Sequence, residues 1–96
     1  MAAQMKTIYK YTLSELHQYQ IVLMPKGAEI LCAKEQGNNI FIWAIVDTSN
    51  ENEARNFRIY GTGNEVSNEH IRYIGTAKIN GGNLIFHIFE AFYDKP

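Results

Sequence analysis

Short segments of alternating apolar and polar residues, separated by turn residues, run through the whole sequence. An alternation with a period of two places successive side chains on opposite faces of a β-strand. This pattern predicts seven strands, at residues 7–13, 19–24, 28–34, 40–46, 54–60, 70–79 and 84–92. No segment keeps a helical period, although the last one is also compatible with one short helical turn at its end.

The residues between these segments favour tight connections. Pro25 lacks the N–H that a strand ladder needs, and Gly27 permits a positive φ, so the second strand should end there. Residues 35–39 and 80–83 are rich in Gly and Asn and predict hairpins. Seven strands at short spacing predict an all-β fold, an antiparallel β-sandwich or open barrel.

The fourth segment differs from the others because it is apolar throughout. Residues 40–46 contain no polar side chain. Such a strand is most simply a central strand that is covered on both faces. We therefore expect this segment in the middle of a sheet.

Length and composition limit the class of protein. The chain has 96 residues, 46% of them hydrophobic, which is one domain with enough material for a core. The formal net charge is −1 and the Lys and Arg residues are scattered, so we expect no nucleic-acid partner. No apolar run reaches the ~18 residues of a membrane-spanning helix, so we expect no membrane partner. A single cysteine is typical of a reducing, cytoplasmic environment.

The ends of the chain are expected to lie outside the fold. Residues 1–4 lack a signal-peptide pattern, and Met5 resembles a second native start. We expect residues 1–4 to be disordered or an artificial extension, residues 5–93 to form a single β-domain, and residues 94–96 to be frayed.

Two segments of the chain echo each other. Residues 58–62 and 72–76 both place an Arg, an aromatic residue and a Gly-Thr pair at the end of an extended element. Backbone N–H groups, a guanidinium and a ring suit an anionic ligand. The candidate ligand contacts are Arg55, Arg58, Tyr60, Gly61, Thr62, Gly63 and Arg72. The competing interpretation, which turn chemistry favours, is an ordinary turn with arginines paired to nearby glutamates.

The residue types used in catalysis do not form a recognisable group. The three histidines are far apart in sequence, so we expect no metal site. His87 shares a strand face with Ile85 and Phe89, which favours a core or interface histidine over a catalytic base. Cys32 lies in an apolar strand, where a buried thiol would be inert. We predict no catalytic residues and no cofactor, and therefore that the protein is not an enzyme.

Aromatic residues exceed what a small core needs. Tyrosine and tryptophan at a half-buried position suit protein interfaces. We expect a homo-oligomer, with interface candidates Trp43, Tyr73, His87 and Phe89.

Several short motifs together are similar to those of a known family. They occur at residues 5–11, 24–31, 43–47, 58–63, 73–76 and 86–90. In this combination the chain resembles a small uncharacterised protein family, a domain of unknown function, carried by tailed phages and prophages. One departure is visible, since Asn64-Glu65-Val66 stands where the family pattern has His-Pro-Ile.

The resemblance implies a biological context rather than a chemistry. It implies a non-enzymatic accessory protein in the host cytoplasm during infection. Such a protein would bind and inhibit a host or anti-phage defence component through an aromatic and acidic surface. One alternative is sequestration of a nucleotide-like signalling molecule by the candidate ligand contacts. Others are a minor virion or assembly protein, or a hydrolase that uses His87.

Overall fold

The computed structural model describes residues 5–93. It has seven strands: β1 (Lys6–Leu13), β2 (Tyr19–Pro25), β3 (Glu29–Gln36), β4 (Asn39–Asp47), β5 (Asn52–Gly61), β6 (His70–Ile79) and β7 (Leu84–Phe92). The all-β prediction is confirmed. The helical alternative for the last segment is wrong, because β7 pairs with both neighbouring strands along most of its length. The predictions for residues 1–4 and 94–96 lie outside the described residues.

The strands form two antiparallel sheets that do not close into a barrel. Sheet A has the order β1-β4-β3, and sheet B has the order β2-β5-β7-β6. Their inner faces enclose one apolar core. Its fully buried members include Leu13, Met24, Ile40, Ile42, Ala44, Val46, Phe57, Ala77 and Ile88. The arrangement is that of a β-sandwich. Within residues 5–93, no helix has the length and apolarity to cross a membrane.

Strand β4 contains the apolar residues 40–46, and their burial alternates along the strand. It is central in sheet A, as predicted, and every second residue from Ile40 to Val46 points into the core. The expectation that both faces are covered is wrong. Phe41, Trp43 and Ile45 point outward and are only half-buried, because no further layer of the described chain packs on this side.

The two sheets are joined along one side, where β3 meets β6; we call this side the closed seam. A Cβ on Gly75 would lie 1.9 Å from the carbonyl oxygen of Ala33, so the two backbones touch. Further along β6, the amide of Lys78 donates to Glu35 Oε1 at 2.6 Å. The amide of Asn80 donates to the side chain of Asn38 at the same distance. The end of β6 and the residue just beyond it are therefore bound by side chains from β3 and from the turn between β3 and β4.

The opposite edges of the two sheets are β1 and β2; we call them the open side. Tyr9 shares the inward-facing register of β1 with Tyr11 and Leu13, yet it is 44% exposed. The hydroxyl of Tyr11 is buried, and no hydrogen-bond partner exists for it among residues 5–93. Burial, and then the neighbouring Tyr9, raise the pKa of Tyr11. The open side therefore leaves a buried polar group without a hydrogen bond among the described residues, whereas side chains bind the amides at the closed seam.

A crossover connection covers part of sheet B. Strands β5 and β6 run parallel on either side of β7, so the chain between them must return along the sheet. Residues 62–69, the crossover loop, return along the outer face. There Ser67 meets the hydroxyl of Tyr60 at 3.1 Å, and Glu69 meets Arg58. Tyr60 and Arg58 are consequently buried although they point away from the core.

Candidate functional site

The outer face of sheet A carries an apolar surface that the described chain leaves uncovered. The alternation of β4 turns Phe41, Trp43 and Ile45 outward, and the register with β1 places Ile8 beside Ile45. The rings of Phe41 and Trp43 lie 5.9 Å apart at 56°. Ile8 is 57% exposed. We call Ile8, Phe41, Trp43 and Ile45 the aromatic strip.

The border of the aromatic strip carries lysines beside the rings and Glu29 beside Ile45. Lys10 lies opposite Trp43 and places its ammonium 4.4 Å from the centre of the Phe41 ring. It also donates to Gln36 Oε1 at 2.8 Å across the sheet. On the other side of β4, Lys34 of β3 lies opposite Phe41. The strip therefore has lysines beside its aromatic rings and an acidic residue beside Ile45.

Cys32 lies at the same surface, which corrects the prediction of a buried thiol. The register between β3 and β4 shifts between Ile30 and Cys32, because Leu31 is an extra residue at that point. Cys32 is thereby placed opposite Trp43, on the outer face, and it is exposed.

Arg58, a candidate ligand contact, is already bound within the chain. Its guanidinium donates to both carboxylate oxygens of Glu69 at 2.9 Å and to the carbonyl of Phe57 at 3.1 Å. It lies 4.6 Å from the ring of Tyr19. The bonds to Glu69 raise the pKa of Arg58, and those from Arg58 and then Ser67 lower the pKa of Glu69 to about 2. The predicted pairing of this arginine with a glutamate is thus present.

The segment Gly61-Thr62-Gly63 forms a turn at the start of the crossover loop. The amide of Asn64 donates to the carbonyl of Gly61 at 3.0 Å. Gly63 has φ +94°, which an L side chain rarely adopts, so glycine is required there. The hydroxyl of Thr62 lies 2.9 Å from His87 Nε2. This geometry matches the competing interpretation of an ordinary turn.

Arg55 and Arg72 lie on the inner face of sheet B, opposite to the face that carries Arg58. Arg55 binds both carboxylate oxygens of Glu90 and donates to the carbonyl of Ala28 at 2.8 Å. Glu90 is 1% exposed. Its side chain also lies 3.5 Å from Arg72, whose own side chain is 60% exposed. The structure therefore brings Arg55 and Arg72 to the same carboxylate and leaves Arg58 on the other face of the sheet.

The four interface candidates are divided between the two sheets. Trp43 belongs to the aromatic strip, whereas Tyr73, His87 and Phe89 lie on the outer face of sheet B. His87 Nδ1 lies 3.2 Å from the hydroxyl of Thr76, which is itself 2.5 Å from the Tyr73 hydroxyl. Both ring nitrogens of this half-buried histidine therefore have hydroxyl partners, as expected of a structural histidine.

Two features of the structure were not predicted from the sequence. One is Glu90, the buried partner of Arg55, which is the only acidic residue in β7 and could have been noticed for that reason. The other is the row of exposed apolar side chains on β2, formed by Tyr19, Ile21 and Leu23. Their alternation just before Pro25 is the signal of an edge strand.

The uncovered surfaces of the described residues are mainly apolar. Within residues 5–93, no group of three or more His, Cys, Asp or Glu side chains is placed to hold a metal ion. Arg55 and Arg58 are held in ion pairs within the fold. The uncovered apolar groups are those that a binding partner would use.

The comparisons with known proteins bear on the family alone. No curated protein and no solved structure matches the chain. One family model matches residues 5–96, which include all seven strands. The chain belongs to the family described as domain of unknown function DUF7352.

Proposed function

We propose that this domain is a non-enzymatic inhibitor that binds a host or anti-phage defence protein, with the aromatic strip as its contact surface. The observation that carries the proposal is the uncovered outer face of sheet A. Ile8 is 57% exposed there, and Trp43 is half-buried beside it. Aromatic and aliphatic groups in this position gain free energy when a partner removes them from water.

The chemistry of the strip also describes the partner. A tryptophan near the centre of a patch is the residue type that most often dominates binding energy. Lys10 and Lys34 border the rings and Glu29 borders Ile45, so a partner that places carboxylates beside the rings would be electrostatically complementary. The motif resemblance to phage and prophage proteins supports a role during infection, in the host cytoplasm.

Cys32 offers a direct test, because it is the only cysteine and lies opposite Trp43 on the exposed face. A thiol-reactive photocrosslinker is attached to Cys32, and the protein is irradiated in cells that carry a defence system. The control carries the same label on the crossover loop, in a Cys32→Ser, Asn68→Cys variant. The proposal expects one defined adduct from Cys32 and none from the loop; equal labelling from both positions would contradict it.

A second experiment measures inhibition. Bacteria that carry a panel of defence systems express the protein and are challenged with phage. Wild type should raise plating efficiency on a sensitive member, and Trp43→Ala should lower affinity for the crosslinked target about 30-fold, by analogy with interface hot spots worth about 2 kcal/mol. Val66→Ala removes an exposed apolar group from the crossover loop and should change nothing. If both variants behave alike, the aromatic strip is not the contact surface.

Capture of a nucleotide-like molecule is the second candidate, and it has a specific observation in its favour. An open depression of ≈ 650 Å³ is lined by Gly27, Arg72 and Tyr73 among others. It offers the largely exposed guanidinium of Arg72, which suits a phosphate. Equilibrium dialysis against a set of nucleotides, with Arg72→Ala as the variant, tests it. Binding that survives Arg72→Ala would reject this site.

A minor virion or assembly role makes a different prediction. The protein would then be found by mass spectrometry in purified particles at a constant ratio to the major structural proteins. Its absence from particles during infection would leave the binding proposals.

A further inference from the structure

Strand β2 is an edge strand with an unusual composition. It spans Tyr19–Pro25 and pairs on one side only, with β5. It contains no charged residue. On its outward face, Tyr19, Ile21 and Leu23 are 57%, 67% and 62% exposed. Natural edge strands are usually protected by charges, bulges or a covering segment, because an open edge pairs with other chains.

The backbone register identifies which groups of β2 are free. The amide of Ile59 donates to the carbonyl of Gln18 at 2.9 Å, so Gln18 faces β5. In an antiparallel ladder the orientation alternates, and Gln20, Val22 and Met24 therefore face β5 as well. The N–H and C=O groups of Tyr19, Ile21 and Leu23 consequently point to the open edge. Beyond the strand ladder, no backbone hydrogen bond among residues 5–93 involves these three residues.

The position of Pro25 is consistent with an open edge on this side of β2. It has the same orientation as Leu23, so the position where an N–H is missing faces the open edge rather than β5. Proline also limits the length of strand that another chain can pair with. The free edge is therefore the stretch from Tyr19 to Leu23.

We propose that this edge is a homodimer interface, in which β2 pairs antiparallel with β2 of a second copy about a two-fold axis at Ile21. Ile21 then faces Ile21 of the other copy, and Tyr19 faces Leu23. The register allows about six backbone hydrogen bonds between the chains. The two four-stranded sheets become one continuous sheet of twice that width.

Charge is the reason for choosing a second copy as the occupant. A two-fold axis places like residues near one another, so a strand that carries charge repels itself. Tyr19–Pro25 carries none, and Arg58, which lies beside the Tyr19 ring, is bound to Glu69. The other edge of the open side, β1, carries Lys6 and Lys10 and is protected from such pairing. The facing Tyr19 and Leu23 side chains would also remove exposed apolar surface from water.

Ile21→Lys tests the interface by placing two ammonium groups opposite each other at the axis. The position is exposed, so the variant should fold like wild type by circular dichroism. Sedimentation equilibrium should show a dimer for wild type and at least about 100-fold weaker association for the variant. Ile8→Lys, at a similarly exposed position in the aromatic strip, is the matched control and should remain dimeric. A monomeric wild type, or a dimeric Ile21→Lys, would overturn the proposal.

Hydrogen exchange provides a readout that does not depend on a variant. In the dimer, the amides of Tyr19, Ile21 and Leu23 should be protected, and the protection should disappear on dilution to monomer. The amides of Gln20, Val22 and Met24 should be protected in both states, because they bond to β5. If the first three amides exchange rapidly in a dimeric sample, the copies associate through another surface and this interface is wrong.

Discussion

The closed seam and the open side are two solutions to the same problem, the free edges of a two-sheet fold. At the closed seam, β3 and β6 approach until Gly75 touches the backbone of Ala33, and the side chains of Glu35 and Asn38 accept hydrogen bonds from the amides of Lys78 and Asn80. At the open side, the edge of β2 keeps unpaired backbone groups, and the Tyr11 hydroxyl has no partner in the described chain. One side of this domain is therefore closed by contacts between the sheets, whereas the other side keeps exposed apolar side chains and an open strand edge.

The largest effect on stability should come from adding a side chain at Gly75, where the backbones of β3 and β6 touch. Gly75→Ala places a Cβ 1.9 Å from the Ala33 oxygen, which only a backbone shift can relieve. We expect a loss of more than about 3 kcal/mol in the free energy of unfolding, measured by urea denaturation.

Gly61→Ala is the control for this prediction. Its added Cβ would meet only the flexible side chain of Asn64 at 3.4 Å. This variant should remain close to wild type. Equal stability of the two variants would show that the seam is less tightly packed than described.

The second effect concerns Arg55, which ties sheet B to the chain that enters β3. Arg55→Met leaves the buried Glu90 with only the exposed Arg72 nearby and removes the bond to the Ala28 carbonyl. The free energy of unfolding should fall by about 3 kcal/mol. The double variant Arg55→Met, Glu90→Leu should recover part of this loss, because it removes the uncompensated charge. A double variant that is less stable than the single one would show that Glu90 does not depend on Arg55.

The third effect is a pH dependence near the open side, where Glu69 holds Arg58 beside Tyr19. The pKa of Glu69 is lowered from 4.5 to about 2 in the folded protein. Its stabilising effect is therefore complete above pH 4.5 and is lost as the pH falls from 4.5 towards 2. Urea unfolding of wild type and Glu69→Gln should give stabilities that differ at pH 7 and converge near pH 2. Parallel curves would contradict this linkage.

The smallest effect should have the opposite sign. Tyr11→Phe removes a buried hydroxyl that has no partner among residues 5–93. The free energy of unfolding should rise by up to about 1 kcal/mol, because the folded protein no longer leaves this group unsatisfied. The same denaturation experiment measures it, with Tyr9→Phe as the more exposed control. A clear loss of stability in Tyr11→Phe would mean that the hydroxyl has a partner after all.

The similarity between residues 58–62 and 72–76 is a local pattern that did not predict the environment of its arginines. It suggested that Arg58 and Arg72 have similar settings. In the fold, Gly61 ends β5, whereas Gly75 lies within β6 and contacts the neighbouring sheet. The two arginines point to opposite faces of sheet B. Similar local sequences acquired different roles because their neighbours come from distant parts of the chain.

The strands and hairpins of this protein are properties of the sequence by itself. The two-residue alternation and the turn residues around Gly37 and Gly81 act over a few neighbours, so local reasoning locates them. Tertiary structure alone decided which side chains meet. The extra residue Leu31 turned Cys32 outward, the crossover loop buried Arg58, and strand order left β2 at an open edge. These outcomes depend on register and on contacts between residues far apart in the chain, which no local pattern encodes.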